Sequence, residues 1–306
     1  MKLLSLLLII VLAAVANFSQ EPSQNPSPPQ KRSVNPEVDR ELNQTASLYR
    51  TGNYAEAQWH AERAVSLEPT NLRAAIFLAR VRHQRYQPGD AQPQNLEMAR
   101  AAIDAYQTVL TLDAQSEEAY KAIAALYAST HQEVLLQAWV VQRAINPQIS
   151  NQKRAEAYAI LAGKDWDCSF KFTELPSHKL IDSTKPGSVV TYKIADDSLE
   201  FQRIKQCVTH GLEMADAALL LDYDSESAWS YKTNLFLEAA KLAEMEGLDL
   251  AKANYLKQAN DAQTQTTRVS EQRRRAEESG IEIGDRPLPP PPTPKKPINH
   301  SEDPNR

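Results

Sequence analysis

The chain has 306 residues, a formal net charge of −5 and only eight glycines. That length leaves room for a sizeable core in one or two domains, and a composition rich in alanine, glutamine and glutamate favours helices. The mild negative charge gives no electrostatic case for nucleic-acid binding, which normally shows as a clearly basic face.

The N-terminus carries Lys2, then the apolar run Leu3–Val15 interrupted only by Ser5, then Ala14-Val15-Ala16 as a small-x-small site. This is the pattern of a cleavable export leader over residues 1–16. The run is shorter than the ~20 apolar residues a membrane span requires, and no cysteine follows it to carry a lipid. The expectation is an exported chain, periplasmic or secreted, with no stable membrane span after cleavage.

Nineteen prolines divide the rest of the chain. Five lie in 17–36, which reads as a Pro-rich linker, and eight lie in the tail, 279–306. The tail stretch Pro287–Pro297 favours polyproline II, which suits either a spacer or a ligand for an aromatic groove. The remaining prolines mark gaps between helices, because proline breaks a helix interior.

In chain order, helices are predicted over 37–50 and 54–67, closed by Pro69, and over 72–86. A long loop, 87–94, precedes a helix over 96–112. Residues 117–128 place Tyr120, Ile123, Ala124 and Tyr127 at i, i+3, i+4 and i+7, the signature of one helical face. Helices at 133–145, ending before Pro147, and 152–162, ending before Gly163, come next. Phe170 and Phe172, then Val190, Tyr192 and Ile194, alternate with polar residues, which predicts a β-hairpin with a long loop at about 169–195. A lone hairpin is marginal in water and must pack on a helix. A helix over 197–221 starts on Asp197 and Glu200, spaced as in a capping box. Two more are predicted at 225–245 and 249–278, the last being so polar after Thr264 that it should project beyond the core.

One segment carries a resemblance. Thr51–Pro69 contains a glycine turn at Gly52, an aromatic at Tyr54, small residues at Ala57 and Ala64, and a terminating proline. It resembles the second half of a tetratricopeptide (TPR) repeat of about 34 residues. Thr45, Ala79, Ala102 and Ala124 fill further small positions, and Trp229 stands where the repeat has its first large aromatic. Gln44 and Lys232 depart from the pattern, and the second, fourth and fifth units are lengthened. Asp165–Pro176 and Ser227–Gly247 are similar to exported bacterial TPR proteins of unknown role. The resemblance implies an all-α superhelix of about ten helices over 37–278, with the hairpin inserted. One unit cannot bury its own apolar face, so the units must stack.

The resemblance also implies a concave groove lined by the first helix of each pair. Carried over by repeat spacing, its residues are Asn43, Tyr49, Arg50, Arg73, Phe77, Arg80, His83 and Lys121. Arginines beside an aromatic suit an acidic or C-terminal peptide, since guanidinium grips carboxylate in bidentate fashion. The lysine–asparagine clamp of some TPR proteins is not reproduced, because Leu42 and Ala46 occupy two of its positions.

Enzymatic signatures are missing from the sequence. The glycines are too dispersed for a phosphate or dinucleotide loop, and no two histidines have the i, i+3 or i, i+4 spacing of a helical zinc site. The acid pairs Glu117-Glu118 and Asp196-Asp197 sit at helix starts, where they complement the dipole. Cys168 and Cys207 either form a disulfide in an oxidising compartment or remain as two buried thiols. No enzyme activity, metal or cofactor is expected. The leading expectation is a non-enzymatic scaffold that binds a protein or peptide in the bacterial envelope. The alternatives are an assembly subunit working through the hairpin and tail, and a cysteine-dependent enzyme using Cys168 with His178 or His210.

Overall fold

The computed structural model describes residues 35–182, 189–194 and 199–279. The leader, the linker up to residue 34, the tail from residue 280 and the expected cap at Asp197 lie outside the described residues.

Among those residues ten α-helices succeed one another. They are α1 Pro36–Arg50, α2 Tyr54–Leu67, α3 Leu72–Arg85, α4 Pro93–Leu112, α5 Glu117–Ser129, α6 Glu133–Ile145, α7 Asn151–Thr173, α8 Leu199–Leu221, α9 Glu226–Met245 and α10 Asp249–Glu278. A 3-10 turn, Pro176–His178, and the antiparallel strands β1 Lys179–Asp182 and β2 Val189–Tyr192 separate α7 from α8.

The helices form pairs, and the two members of a pair start differently. Every odd-numbered helix begins on an Asn or Ser side chain that accepts a first-turn N–H: Asn35, Asn71, Ser116, Ser150 and Ser225. Each cap satisfies a donor that the helix cannot and is worth ~1 kcal/mol. The even-numbered α2, α4, α6 and α10 have no such bond. Three of them instead come after a tight turn through the left-handed region, which Gly52 enters at φ 78° before α2 without steric cost. His131 takes the same region at φ 54° before α6, a conformation uncommon outside glycine. The longer connection into α4 is pinned by Asn95, whose Nδ2 donates to the carbonyls of Gln87 and Asp90 at 2.8 and 2.7 Å.

Small residues let the helices approach. Ala57, Ala61 and Ala64 of α2, Ala74 and Ala79 of α3, and Ala102 of α4 are all fully buried, as is Thr45 of α1. Around them Val38 and Leu42 fill the first layer, and Tyr106, Ile123 and Leu126 the next. Each helix packs on its neighbours in sequence, so α1 to α6 form a stack. Where α5, α6 and α7 meet, Arg143 lies buried over the Tyr120 ring, 3.8 Å from its centroid, and is ion-paired with Glu117, which Lys153 of α7 also reaches. Trp139 stacks on Tyr120 and donates from Nε1 to its carbonyl.

The fourth unit departs from the sequence expectation. The helix expected to stop at Ala162 runs through Gly163 to Thr173. Phe170 and Phe172 are therefore helical, and the first strand of the hairpin is Lys179–Asp182 instead. Four residues of alternating polarity fit one helical turn as well as a strand, and tertiary packing decides here. Phe172 buries against Phe201, Ile204 and Val208 of α8 and Leu242 of α9. Trp166 and Phe170, one turn apart, have their rings 5.0 Å apart. The Cys168–Cys207 disulfide joins this extension to α8. The polar end of α10 also projects less than expected: Val269 is buried, and Arg268 and Arg273 pair with Asp224 and Glu226 at the start of α9.

Candidate functional site

The first helices of the three N-terminal pairs share one solvent-facing surface. Arg73 on α3 reaches back to Asp39 on α1 (3.7 Å), with its guanidinium 5.8 Å from the centre of the Phe77 ring. Arg80, two turns further along α3, reaches forward to α5. Its Nε and one Nη donate to the two carboxylate oxygens of Glu118 at 2.6 and 2.5 Å. That fork holds the Glu118 carboxyl below its ordinary pKa and raises the guanidinium further. Asn43 on α1 and Lys121 on α5 are exposed on the same set of helices.

The other expected groove residues also have partners within the chain. His83 is half-buried, with Nδ1 3.4 Å from the Tyr106 hydroxyl on α4, and burial lowers its pKa. The same burial, aided by the Glu118 charge, pushes Tyr106 up to about 12. Tyr49 packs edge-on against Tyr54. Arg50 folds back to donate to the Ala46 carbonyl, satisfying one of the last acceptors of its own helix. Arg73 and Phe77 thus stand together on α3 with Arg80 two turns further along, and Tyr49, Arg50 and His83, like the two arginines of α3, each have a partner within the chain.

Sequence reasoning misses the acidic half of this surface. In sequence Glu118 reads only as a helix-start charge, and Asp39 lies in the first turn of α1. Their arginine partners are a whole repeat away, and no local spacing reports such a pair.

A second polar cluster lies where α7, α9 and the hairpin meet. Glu238 of α9 is only 2% exposed and accepts from Ser169 Oγ (3.0 Å), Thr173 Oγ1 (2.7 Å) and Lys241 Nζ (2.7 Å). Lys241 also reaches Glu174 (3.0 Å) and lies over the rings of Phe170 and Tyr192. All these partners come from the chain itself, so the cluster is a clamp that seats the hairpin. Cys168 is bonded to Cys207 and offers no free thiol, which removes the nucleophile of the cysteine-dependent alternative. Among the described residues no group of three or more His, Cys, Asp or Glu side chains is placed to hold a metal. None of their helices is long and apolar enough to cross a membrane.

Helix pairs whose first members carry side-chain caps, packed neighbour on neighbour, make an all-α arrangement of ten helices with a small hairpin, as the TPR resemblance implies. No family model matches the sequence, and no curated protein does. Among solved structures, the chain is similar to a MamA RS-1 ArsTM double mutant at 13% identity and a TM-score of 0.36, covering 79% of this chain and 98% of that one. It is also similar to YrrB, described as a TPR protein with an unusual peptide-binding site, at 12% identity and a TM-score of 0.33, covering 78% and 94%. A further MamA structure aligns at 11% identity and a TM-score of 0.32, covering 76% and 94%. These are distant likenesses, and the fold assignment rests on the caps, turns and packing themselves.

Proposed function

We propose that this protein is a non-enzymatic scaffold, exported to the periplasm or beyond the cell, that holds a protein or peptide across the face of α1, α3 and α5. The observation that carries this reading is the pair of bridges from α3. Arg73 and Arg80 join the alternate helices α1, α3 and α5 into one polar, solvent-facing surface, with Phe77 between them on α3. Export rests on the leader pattern at residues 1–16 and accords with the disulfide, since such bonds persist in oxidising compartments.

The preferred ligand is an acidic or C-terminal segment. Both arginines already hold carboxylates, so the ligand binds by exchange, its own carboxylate replacing that of Glu118 in the fork. Such exchange favours a ligand able to fill the bidentate geometry over one with diffuse negative charge. The test is fluorescence anisotropy with acidic peptides ending in a free carboxylate, beside their amidated forms. Binding is expected to weaken at least ~10-fold, or ~1.4 kcal/mol, on amidation and in an Arg80→Glu variant. Equal affinity for both peptide forms, or full binding by Arg80→Glu, would refute the assignment of ligand chemistry.

A further inference from the structure

The two arginines of α3 are held from opposite sides. Arg73 leans to Asp39 of α1, and Arg80 leans to Glu118 of α5. Seven residues separate them, nearly two helical turns, so both lie on one face of α3 with ~10 Å of rise between their backbones. Their opposite leans carry the guanidiniums further apart still. Phe77 fills the interval on that face, with the Arg73 guanidinium over its ring.

Each of the two carboxylates has unused hydrogen-bond donors one turn further along its own helix. Asn43 stands four residues after Asp39, and Lys121 stands three after Glu118. Both are exposed, and among the described residues neither side chain makes a hydrogen bond or an ion pair. The other acids of α1 and α5 are committed elsewhere: Glu41 to Arg40, Glu37 to Arg63, and Glu117 to Arg143 and Lys153. Asp39 and Glu118 are therefore the acids placed to change partners.

Side chains three or four apart on a helix are neighbours, with Cβ atoms ~5–6 Å apart. A carboxylate entering the Arg80 fork deprives Glu118 of its partner, and Lys121 can receive it as an i, i+3 ion pair. Asn43 can receive Asp39 in the same way by an amide hydrogen bond. The exchange then ends with every carboxylate bonded, instead of leaving two of the chain's own acids unpaired. One incoming carboxylate can take only one arginine. An extended chain advances at most ~3.3–3.6 Å per residue, so adjacent acids cannot reach both, and two acids must stand at least three residues apart.

We infer that this face is a two-carboxylate exchange site. Its ligand is an extended segment with two carboxylates at least three residues apart and an apolar side chain between them for Phe77. Lys121 and Asn43 are positioning residues that take up the carboxylates the ligand displaces. This rests on the peptide-binding reading above and specifies what the peptide must carry.

The test is fluorescence anisotropy on the full chain with synthetic peptides of equal length and charge, each ending in a free carboxylate. One aspartate stands either next to the terminal residue or three or four residues before it. The spaced peptides are expected to bind at least ~10-fold tighter than the adjacent one. Glu118→Gln, which removes the internal competitor, should tighten binding at least ~3-fold, and Lys121→Met should weaken it by a similar factor. In a Glu118→Gln background Lys121→Met should have no effect, because no displaced carboxylate remains to be received. Equal affinity for adjacent and spaced acids, or no tightening in Glu118→Gln, overturns the proposal. So does a Lys121→Met loss that persists in the double variant, which would make the lysine a direct ligand contact. Those results leave the peptide-binding reading standing, whereas failure of every peptide to bind removes both.

Discussion

Gly163 lies directly against the ring of Tyr231: a Cβ built on its backbone would come within 2.6 Å of the tyrosine Cζ. The glycine thus lets α7 and α9 close on one another in the middle of a continuous helix. Tyr231 is held in turn by Trp166 and Leu235, so it cannot retreat freely. Gly163→Ala gains ~1 kcal/mol of helix propensity but meets an overpacking cost of ~1–3 kcal/mol. A net loss of about 1 kcal/mol is expected in urea unfolding. A gain in stability would show that the ring yields and that close approach is not why glycine stands there.

Glu238 should be the most sensitive polar residue in the C-terminal half. Glu238→Ala removes the acceptor for Ser169, Thr173 and Lys241 together and leaves a mostly buried ammonium with Glu174 as its one remaining carboxylate partner. Breaking a buried pair from one side costs ~3–5 kcal/mol. Glu238→Gln keeps an acceptor and should lose less. Hydrogen exchange at β1 and β2 should accelerate in Glu238→Ala more than exchange in α1 to α3; uniform acceleration would count against a local clamp.

Acid should destabilise the fold through identifiable carboxylates. Glu41, 3% exposed, accepts from His60 Nδ1 at 2.6 Å and from Arg40, and these bonds hold its pKa below the ordinary value. Glu118 is lowered by Arg80, and Glu174 by Lys179 and Lys241. A depressed folded-state pKa means that the unfolded chain takes up protons first as the pH falls. The stabilisation is complete above about pH 4.5, the unperturbed glutamate value, and drains away below it. Melting temperature measured from about pH 7 to about pH 3 should fall steeply below that point, and less steeply in Glu41→Gln. An identical acid profile for the variant would remove Glu41 from the account.

Reduction tests the staple. The Cys168–Cys207 bond spans 39 positions in sequence, and a loop of that length restricts the unfolded chain by ~4 kcal/mol in the chain-entropy treatment. Replacing both cysteines with alanine should lower stability by about 2–4 kcal/mol, and a reducing agent should lower the melting temperature of the parent but not of the variant.

Much of the fold is legible from local signals. The bounds of α2, α6 and α10 come from periodicity and from the breakers beside them, Gly52, Pro69, Pro147 and Gly247. The extension of α7 is not legible, because Gly163 looks like a stop unless Tyr231 is known to press on it. The Phe170–Phe172 alternation likewise looks like a strand unless Phe201 and Leu242 are known to receive Phe172. At the groove, the positions of Arg73, Phe77 and Arg80 can be carried over from repeat spacing. Their carboxylate partners cannot, because Arg80 and Glu118 are 38 residues apart and meet only after the repeats stack.

The two halves of the fold differ in how their helices are tied together. Along α1 to α6 contacts run mainly between successive helices, whereas α7 touches both α8 and α9 and is bonded to α8 by the disulfide. On that connectivity the first half is expected to flex at its junctions like a spring, and the second to move as a block. Tension or torque applied along the axis would be taken up almost wholly in the spring. A ligand seated on α1, α3 and α5 could open or tighten that curve while the hairpin keeps its bearing on α9.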